Sequence, residues 1–421
     1  MNRRVLKKKF NQEVIFDIHG ARNSRRRIVL RFVSLCFKVM GGAVLSLVLV
    51  PLSLFRPIEI WHLRSRRAKI SLFIEDLEWG LRNLQAREQK GKVLVIAIYK
   101  LPFPNKQLAK MYRRRLILLG TRQRLLGVCL KYVTPIGRIT KKNPLERYGK
   151  MFETWNSGSP SLKFTKKEEA KGLELEEKLF NGQTPPFICF AIQSSTFREK
   201  IDFSETKYHG PILDDPFTSI TGFENYIPVI RQLTGSGIAV VRMGILEEER
   251  LPLGLGPLVI DYAFDFRSEF GDVWLHSKCM FSLVGAAGSH WFGAAFNRPT
   301  LLTDAYAIRS TYDNRDLVIP QRGWIPSEDR FLTFSEISNS EWGRNFETLE
   351  KTELLKNTPE EIMDATSEMI LRLTGKWIET DEDKELQAKF RSVISSFPIH
   401  QRTPSRMGAK FLREHQYLLP Q

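Results

Sequence analysis

Two nearly continuous runs of apolar residues limit this chain to one class of fold. They are GKVLVIAIYK (91–100) and FICFAIQSS (187–195). Such runs are typical of strands that are buried on both faces of a parallel sheet. Helical stretches such as NKQLAKMYRRRLILLG (105–120) lie between the apolar runs. This alternation predicts βαβ units and therefore an α/β protein.

The composition changes between two successive sets of βαβ units. Residues 154–186 combine turn residues, a charged helical stretch and a Pro-Pro pair, which favours an interdomain connection. Two α/β domains joined by a linker place the natural ligand site in a cleft between their sheets. The predicted segments are a basic tail (1–31), a hydrophobic membrane segment (32–56), an amino-terminal domain (57–175), a carboxyl-terminal domain (186–345) and terminal helices with a basic tail (346–421).

The segment VMGGAVLSLVLVPLSLF (39–55) contains 17 residues without a charge. As a helix it covers about 26 Å, slightly less than a hydrocarbon core of ~30 Å. The preceding 38 residues are too long and too basic for a signal peptide, and a buried core helix is the remaining alternative. We expect a membrane-associated helix that keeps the soluble domains on the cytoplasmic face of the cytoplasmic membrane.

Both flanks of this segment are basic, namely residues 22–31 and 56–67. The positive-inside rule therefore places both flanks in the cytoplasm. That arrangement predicts a re-entrant or interfacial hairpin in which Pro51 breaks the helix, with a single membrane span as the alternative.

The charge of the chain is concentrated in its first part. Residues 1–150 contain 34 Lys and Arg against 8 Asp and Glu, so the remaining 271 residues carry −9 of the total +17. Aromatic residues do not interleave with these basic residues as stacking platforms for nucleic acid do. We therefore expect anionic membrane lipids, and not nucleic acid, to face the basic part. The four scattered cysteines show no disulfide framework or zinc pattern.

Most sequence signatures of catalysis or cofactor binding are missing. There is no GxxxxGK[ST], no GxGxxG after a strand, no GxSxG and no HExxH. The acidic triple DED (381–383) opens a charged helical stretch, where carboxylates are favoured at any helix start. The sequence thus predicts no cofactor and no metal site.

Several polar residues follow the predicted strands of the second domain. In an open parallel sheet the carboxyl ends of the strands form the ligand crevice. An arginine there suits a diphosphate, an aspartate suits a sugar hydroxyl, and small residues at a helix start suit an anionic group. Each residue alone also has a structural explanation, such as His290 as a helix cap. The candidate substrate-binding residues are Arg198, Arg242, Asp261, Gly288, Ser289 and His290.

Five ordered stretches carry a resemblance to a known group of proteins. They are FENYIPVIRQLTGSGIAVVRMG, LVIDYA, FGDVWLHSKCMFSLVGAAGS, FNRPTLLTD and TPEEIMDATSEMILRLTG. Together they resemble an uncharacterised family of bacterial glycosyltransferases over roughly residues 60–375. The resemblance implies a GT-B-like fold, in which two Rossmann-like domains face each other across a cleft. It also implies a nucleotide-sugar in the second domain, with Gly288 and Ser289 at the diphosphate and Arg242 beside it.

The chain departs from the family pattern at several positions. An Arg-Asp pair usual after the first strand of the second domain is replaced by AIQSS, and Arg198 is a candidate for the missing arginine. An Arg-Asn pair is replaced by Glu224–Asn225, and an early Gly-His by Ala68–Lys69. These departures bear on catalysis more than on fold.

The sequence therefore predicts a membrane-associated, metal-independent glycosyltransferase. It would move a sugar from a nucleotide-sugar to a lipid-linked or surface-polysaccharide acceptor. Glu78 is the candidate base that deprotonates the acceptor hydroxyl. The alternatives are a catalytically inactive scaffold that binds nucleotides or glycans, and a sugar-nucleotide epimerase, which would need no membrane anchor.

Overall fold

A computed structural model describes most of the chain. The described residues are 33, 35–64, 69–88, 91–121, 129–130, 132–144, 151–192, 222–245, 250–285, 287–305, 311–340, 352–395 and 405–420. They divide into two compact units that interleave along the sequence. The first unit contains the described residues of 1–62, 91–102 and 116–143, and the second contains those of 63–90, 103–115 and 144–421.

The first unit is built on a parallel sheet of four strands in the order β3-β2-β1-β4. Strand β1 lies inside the sheet, with Ile58 opposite Leu94 on one side and Ile139 on the other. This strand comes from the stretch interpreted above as the basic flank of the membrane segment. The strands are β1 Ile58–His62, β2 Leu94–Lys100, β3 Ile117–Thr121 and β4 Ile139–Lys142.

The apolar segment forms helix α1, Leu35–Phe55, which is long and apolar enough to cross a membrane. A signal sequence or a buried helix meets the same criterion. The predicted break at Pro51 is wrong, because the helix continues to Phe55. Proline removes its own N–H donor and crowds the carbonyl four residues earlier, so it weakens the helix at that turn. Downstream, the N–H of Arg56 still donates to the carbonyl of Leu52 at 3.1 Å.

The second unit contains a parallel sheet of seven strands and a small antiparallel sheet in the order β12-β11-β13. The seven strands are β5 Phe187–Ile192, β6 Ala239–Arg242, β7 Val259–Ile260, β8 Ser282–Gly285, β9 Thr300–Ala305, β10 Leu317–Pro320 and β14 Arg406–Met407. The other three are β11 Arg322–Ile325, β12 Arg330–Phe331 and β13 Glu353–Leu355. The helices are α2 Ile70–Ala86, α3 Lys106–Arg113, α4 Met151–Ser157, α5 Lys166–Leu179, α6 Ile227–Gly235, α7 Tyr262–Asp265, α8 Glu269–Lys278, α9 His290–Ala294, α10 Phe334–Ser340, α11 Pro359–Leu373, α12 Asp381–Ser395 and α13 Ala409–Glu414.

Both faces of the seven-stranded sheet are buried, as its apolar runs predict. Along β5, Ile188 and Phe190 belong to one apolar cluster, whereas Cys189 and Ala191 belong to another. Successive side chains of a strand point to opposite faces. The sheet therefore carries a core on each side, and the predicted α/β class with parallel sheets is confirmed.

Local signals fixed several helix ends correctly. Thr358 and Glu361 form the predicted capping box of α11, and Gly237 has a φ of +76° after α6. The acidic triple opens α12, where Asp383 accepts a hydrogen bond from the N–H of Thr380 at 3.0 Å. The sequence pattern of LVIDYA is typical of a strand, and that of residues 67–89 of a strand that leads into an amphipathic helix. Both interpretations are wrong: LVIDYA forms only the two-residue strand β7 before α7 begins, and 67–89 contains helix α2 from Ile70 with no strand among its described residues.

Candidate functional site

The order of the seven strands identifies one place where a ligand crevice is expected. The sheet reads β14-β10-β9-β8-β5-β6-β7, so the chain leaves β5 in one direction and returns to β8 on its other side. Ligands of open parallel sheets bind at the carboxyl ends of the strands where the order reverses. Here Ile192 at the end of β5 lies opposite Gly285 at the end of β8. Arg198 follows β5 and lies outside the described residues.

The small residues after β8 have two different roles. A Cβ atom on Gly285 would lie 2.3 Å from the hydroxyl oxygen of Tyr226, so this position is glycine because the tyrosine fills the space. Gly288 is exposed, and a Cβ atom there would approach only Ile70, at 4.0 Å. The hydroxyl oxygen of Ser289 is buried and has no hydrogen-bond partner among the described residues. A buried polar atom without a partner is costly, which makes this loop a candidate for ligand contact.

His290 serves the fold at the start of α9. Its side chain is buried, and its Nδ1 atom lies 3.0 Å from the carbonyl oxygen of Ala287. The ring also contacts Trp291, with 5.5 Å between the ring centroids. These contacts hold the loop that contains Gly288 and Ser289.

Arg242 and Asp261 form an ion pair at the ends of β6 and β7. The Nη1 atom of Arg242 lies 3.2 Å from both carboxylate oxygens of Asp261. Asp261 also accepts a hydrogen bond from the N–H of Leu251 at 2.9 Å. The carboxylate thus orients the guanidinium and offsets its charge. Because Asp261 is engaged in this way, it supports Arg242 rather than presenting an unoccupied acceptor to a sugar.

Arg242 and Gly285 lie on opposite sides of β5. Arg242 pairs with Phe190, and Gly285 pairs with Ile192, two residues further along the same strand. Strands are ~4.8 Å apart and rise ~3.3 Å per residue, so the two Cα atoms are roughly 12 Å apart. That distance is shorter than a nucleotide-sugar.

The start of helix α2 meets the loop after β8 at Gly288. Lys69 precedes the helix without capping it through a side-chain hydrogen bond, and the first turn contains no acidic residue. The first N–H groups of a helix carry a partial positive charge and suit an anion. We call Arg242, Asp261, residues 287–289 and the first turn of α2 the switch edge.

A buried charge cluster fixes the position of α2 behind the switch edge. Arg64 donates from its backbone N–H and its Nε to the carboxylate of Asp76, at 2.6 and 2.8 Å, and also contacts Glu75. Burial raises the pKa of Asp76 to about 7, although Arg64 acts in the opposite direction. The hydroxyl of Tyr312 donates to Glu75. These contacts hold the helix start in place.

Glu78, the candidate base, lies in the interior and not at the switch edge. Its side chain is 0% exposed. The carboxylate accepts hydrogen bonds from the Nε of Arg82 at 3.0 Å, the N–H of Ser161 at 2.7 Å and the hydroxyl of Tyr112 at 3.3 Å. Burial, followed by the Glu78 charge, raises the pKa of Tyr112 well above 10. In this arrangement Glu78 packs α2, and its role as a base stays a prediction.

Sequence reasoning missed a polar network beside the switch edge. The Tyr226 hydroxyl lies 2.7 Å from the Thr303 hydroxyl and 3.3 Å from the carboxylate of Asp304. Asp304 and Asn357 exchange two backbone-to-side-chain hydrogen bonds of 2.6 Å. Asp304 ends a strand, the same signal that singled out Asp261. Asn357 is 53 residues further along the chain and carries no local signal.

A surface cavity of about 510 Å³ lies at the opposite edge of the sheet. It is lined by Phe187 at the beginning of β5, by Phe180 and by Trp274. Separately, the described residues contain no group of three or more His, Cys, Asp or Glu side chains that could hold a metal ion.

Neither a protein-family model nor a curated protein matches the chain. Among solved structures it is similar to a family 9 glycosyl transferase from Veillonella parvula, with a TM-score of 0.44 and 12% identity, covering 75% of this chain and 97% of that chain. It is also similar to the E. coli ADP-heptose LPS heptosyltransferase II, with a TM-score of 0.41 and 15% identity, covering 70% of this chain and 97% of that chain. A third similar structure is TibC from enterotoxigenic E. coli, a dodecameric iron-containing heptosyltransferase in complex with ADP-D-β-D-heptose, with a TM-score of 0.33, 10% identity and coverage of 61% and 60%.

These structures belong to the class of enzyme that the sequence resembles. The placing of two domains across a cleft and the five predicted segments stay predictions.

Proposed function

We propose that the chain is a glycosyltransferase that binds a nucleotide-sugar at the switch edge. The observation that carries this proposal is the meeting of two anion-compatible features at the strand-order reversal. One is the exposed Gly288 beside the buried, unpartnered Ser289 hydroxyl, and the other is the start of α2, which lacks a side-chain cap. The resemblance of the sequence to glycosyltransferases supplies the class of ligand.

The diphosphate of the donor is the part that this edge suits. Backbone N–H groups at the start of α2 and the Ser289 hydroxyl would donate to its oxygens, and Arg242 would approach from the far side of β5. Such donors stabilise the negative charge that develops on a leaving nucleoside diphosphate. The proposed enzyme therefore needs no bound metal, and chelation with EDTA should leave its activity unchanged.

The proposal names no general base. Transfer with inversion needs a base that takes the proton of the acceptor hydroxyl. Glu78 is fully buried and its oxygens accept three hydrogen bonds, so its role here is to position α2. The acceptor class, a lipid-linked or surface glycan at the cytoplasmic membrane face, rests on the apolar helix α1 and the basic part of the chain, which suits anionic lipids.

The test uses the full chain purified in detergent. Sugars linked to ADP, UDP and GDP are screened for a rise in melting temperature, because a ligand of the folded state stabilises it. Release of the nucleoside diphosphate, with and without a membrane-lipid extract as acceptor, then measures turnover. A rise in melting temperature together with turnover supports the enzyme, and the absence of any binder contradicts the proposal.

Binding without turnover is a second candidate function. The burial of Glu78 favours it, because this carboxylate is already occupied by protein groups. A scaffold of this kind would show the rise in melting temperature but no release of nucleoside diphosphate. The same experiment therefore separates the two functions.

A further inference from the structure

Helix α1 packs along the first unit with one face. A Cβ atom on Gly42 would lie 2.6 Å from the backbone of Tyr132, and one on Gly41 would lie 2.5 Å from the sulfur of Cys129. Only glycine allows so close an approach to backbone atoms, as at Gly42, whereas the near atom at Gly41 is a side-chain sulfur that can turn away. The hydroxyl of Ser46 accepts a hydrogen bond from the N–H of Thr134 at 3.0 Å.

The packing continues to the end of the helix. Leu49 is 8% exposed and belongs to the apolar cluster of the four-stranded sheet. Ser53 is 0% exposed and lies beside Gly137. From Gly41 to Ser53 the helix is therefore held over roughly 18 Å.

The opposite face of α1 is apolar and exposed. Phe37 and Met40 are each 62% exposed, Leu47 is 77% exposed and Phe55 is 88% exposed. The spacing of these residues puts them on a stripe opposite Gly42, Ser46 and Ser53. Gly41 lies at the border between the two faces. A contiguous apolar face of this size is a mark of a protein or membrane contact.

A helix held in this way cannot cross a bilayer. Crossing would draw the segment 129–137 into the hydrocarbon core together with the helix. That segment contains irregular backbone from 132 to 137, and lipid-exposed irregular backbone does not occur at that depth. The helix could cross only after leaving the unit whose core it completes.

We propose that α1 is an in-plane membrane helix, which stays packed on the first unit while its exposed face enters one leaflet of an anionic bilayer. Charge complementarity identifies the partner as lipid. Residues 1–34 carry ten Lys and Arg against two Asp and Glu, and Arg56 follows the end of the helix. An in-plane helix keeps the basic tail and Arg56 on the same anionic surface. The placement of α1 in the membrane is independent of glycosyl transfer, and the experiments below do not measure sugar transfer.

The first test uses the native chain in inside-out bacterial membrane vesicles, whose cytoplasmic face points outward. Externally added trypsin should remove the basic tail and should also cleave the rest of the chain, because both lie on the same side of the membrane. Protection of either one until detergent is added would overturn the proposal, because it would show a span.

The second test locks the helix onto the unit. In Gly41→Cys, the new Cβ atom would lie 3.2 Å from the Cβ atom of Cys129. This is slightly below the roughly 3.5–4.5 Å of a disulfide, so the bond forms after a shift of a few tenths of an ångström. The oxidised variant should bind phosphatidylcholine/phosphatidylglycerol vesicles within about twofold of the reduced variant and of the control Gly41→Cys with Cys129→Ser. A tenfold loss of vesicle affinity on oxidation would overturn the proposal, and so would a stable dimer of the chain that does not bind vesicles. If the variant does not fold, the protease experiment alone tests whether α1 lies in the membrane plane.

Discussion

The two units have sheets of similar design, but their interiors differ in chemistry. In each, parallel strands pair on both sides of the unit's first strand. The cluster on the four-stranded sheet is aliphatic and includes Leu49 from helix α1. The second unit buries ionic and polar pairs as well, such as Glu78 with Arg82 and Asp304 with Asn357.

This difference indicates what each interior is suited to do. An aliphatic core tolerates exchanges between apolar side chains of similar volume. Such a core suits a unit that holds a lipid-facing helix. Satisfied buried polar networks are rigid and specify one arrangement. Such a network fixes α2 and the strand ends around the switch edge. Variants in the two units test this contrast.

The largest effect is expected from Arg82→Leu in the second unit. The change leaves the Glu78 carboxylate buried without its cation and removes a hydrogen bond of 2.7 Å to the carbonyl of Trp155. Breaking a buried ion pair costs about 3–5 kcal/mol. Equilibrium unfolding in urea measures the loss. The control Lys389→Leu breaks an exposed pair with Glu385 and should cost less than about 1 kcal/mol. Equal losses of unfolding free energy in the two variants would show that the buried ion pair of the second unit is no more important than an exposed one.

In the first unit, Leu49→Ala is also expected to lower the free energy of unfolding. Truncation of a buried leucine costs about 2–5 kcal/mol, because it removes apolar contact and leaves a cavity. Leu47→Ala changes a 77% exposed residue of the same helix and should have little effect on unfolding. If both variants unfold alike, α1 is not part of the core.

Arg242→Ala is expected to weaken nucleotide-sugar binding by about ten- to a hundredfold. A hydrogen bond to a charged group contributes about 1.5–3 kcal/mol, and each 1.4 kcal/mol is tenfold. Isothermal titration measures the affinity. The control is Arg250→Ala, which removes a neighbouring ion pair with Asp265. Arg250 is 59% exposed, and its loss should leave the affinity within about threefold. An unchanged affinity for Arg242→Ala would remove that residue from the site.

The smallest effect is a pH dependence at Glu168, where α5 begins. Burial alone would raise the pKa of this carboxyl, but hydrogen bonds from Arg114, the Thr165 N–H and Gln107 outweigh it and lower the pKa to about 2. Because the folded pKa is lower than the unfolded value, Glu168 stabilises the fold above pH ~4.5, and this contribution is lost as the pH falls towards about 2. The difference in unfolding free energy between wild type and Glu168→Gln should therefore shrink between pH 6 and pH 3. A difference that does not change with pH would contradict this assignment.

Patterns within short stretches predicted much of the fold. The apolar runs around Ile96 and Ile188 identified strands buried on both faces, and the capping residues of α11 fixed its start. Pro51 failed as a helix breaker because the loss of one N–H donor is small beside the packing of a helix that is anchored before and after it. The strand at Ile58 was missed because it has only five residues and lies between basic residues, so the stretch was interpreted as a flank of the membrane segment.

The candidate site was less predictable, because side-chain partners depend on distant parts of the chain. Arg242 and Asp261 were identified by position, but their ion pair with each other was not. Gly285 and Gly288 look alike in sequence, yet only Tyr226, brought close by folding, explains the first. Glu78 was named as the candidate base, but the hydrogen bonds that occupy its carboxylate come from Arg82 and Ser161, and the second of these is 83 residues further along the chain.

The location of donor binding tests the account most directly. Hydrogen–deuterium exchange of the full chain is measured with and without saturating ADP, UDP or GDP. The account predicts slower exchange at 287–292 and in the first turn of α2, and no change around Phe180 and Trp274 at the opposite edge. Protection confined to that opposite edge, or no protection with any nucleoside diphosphate, would contradict it.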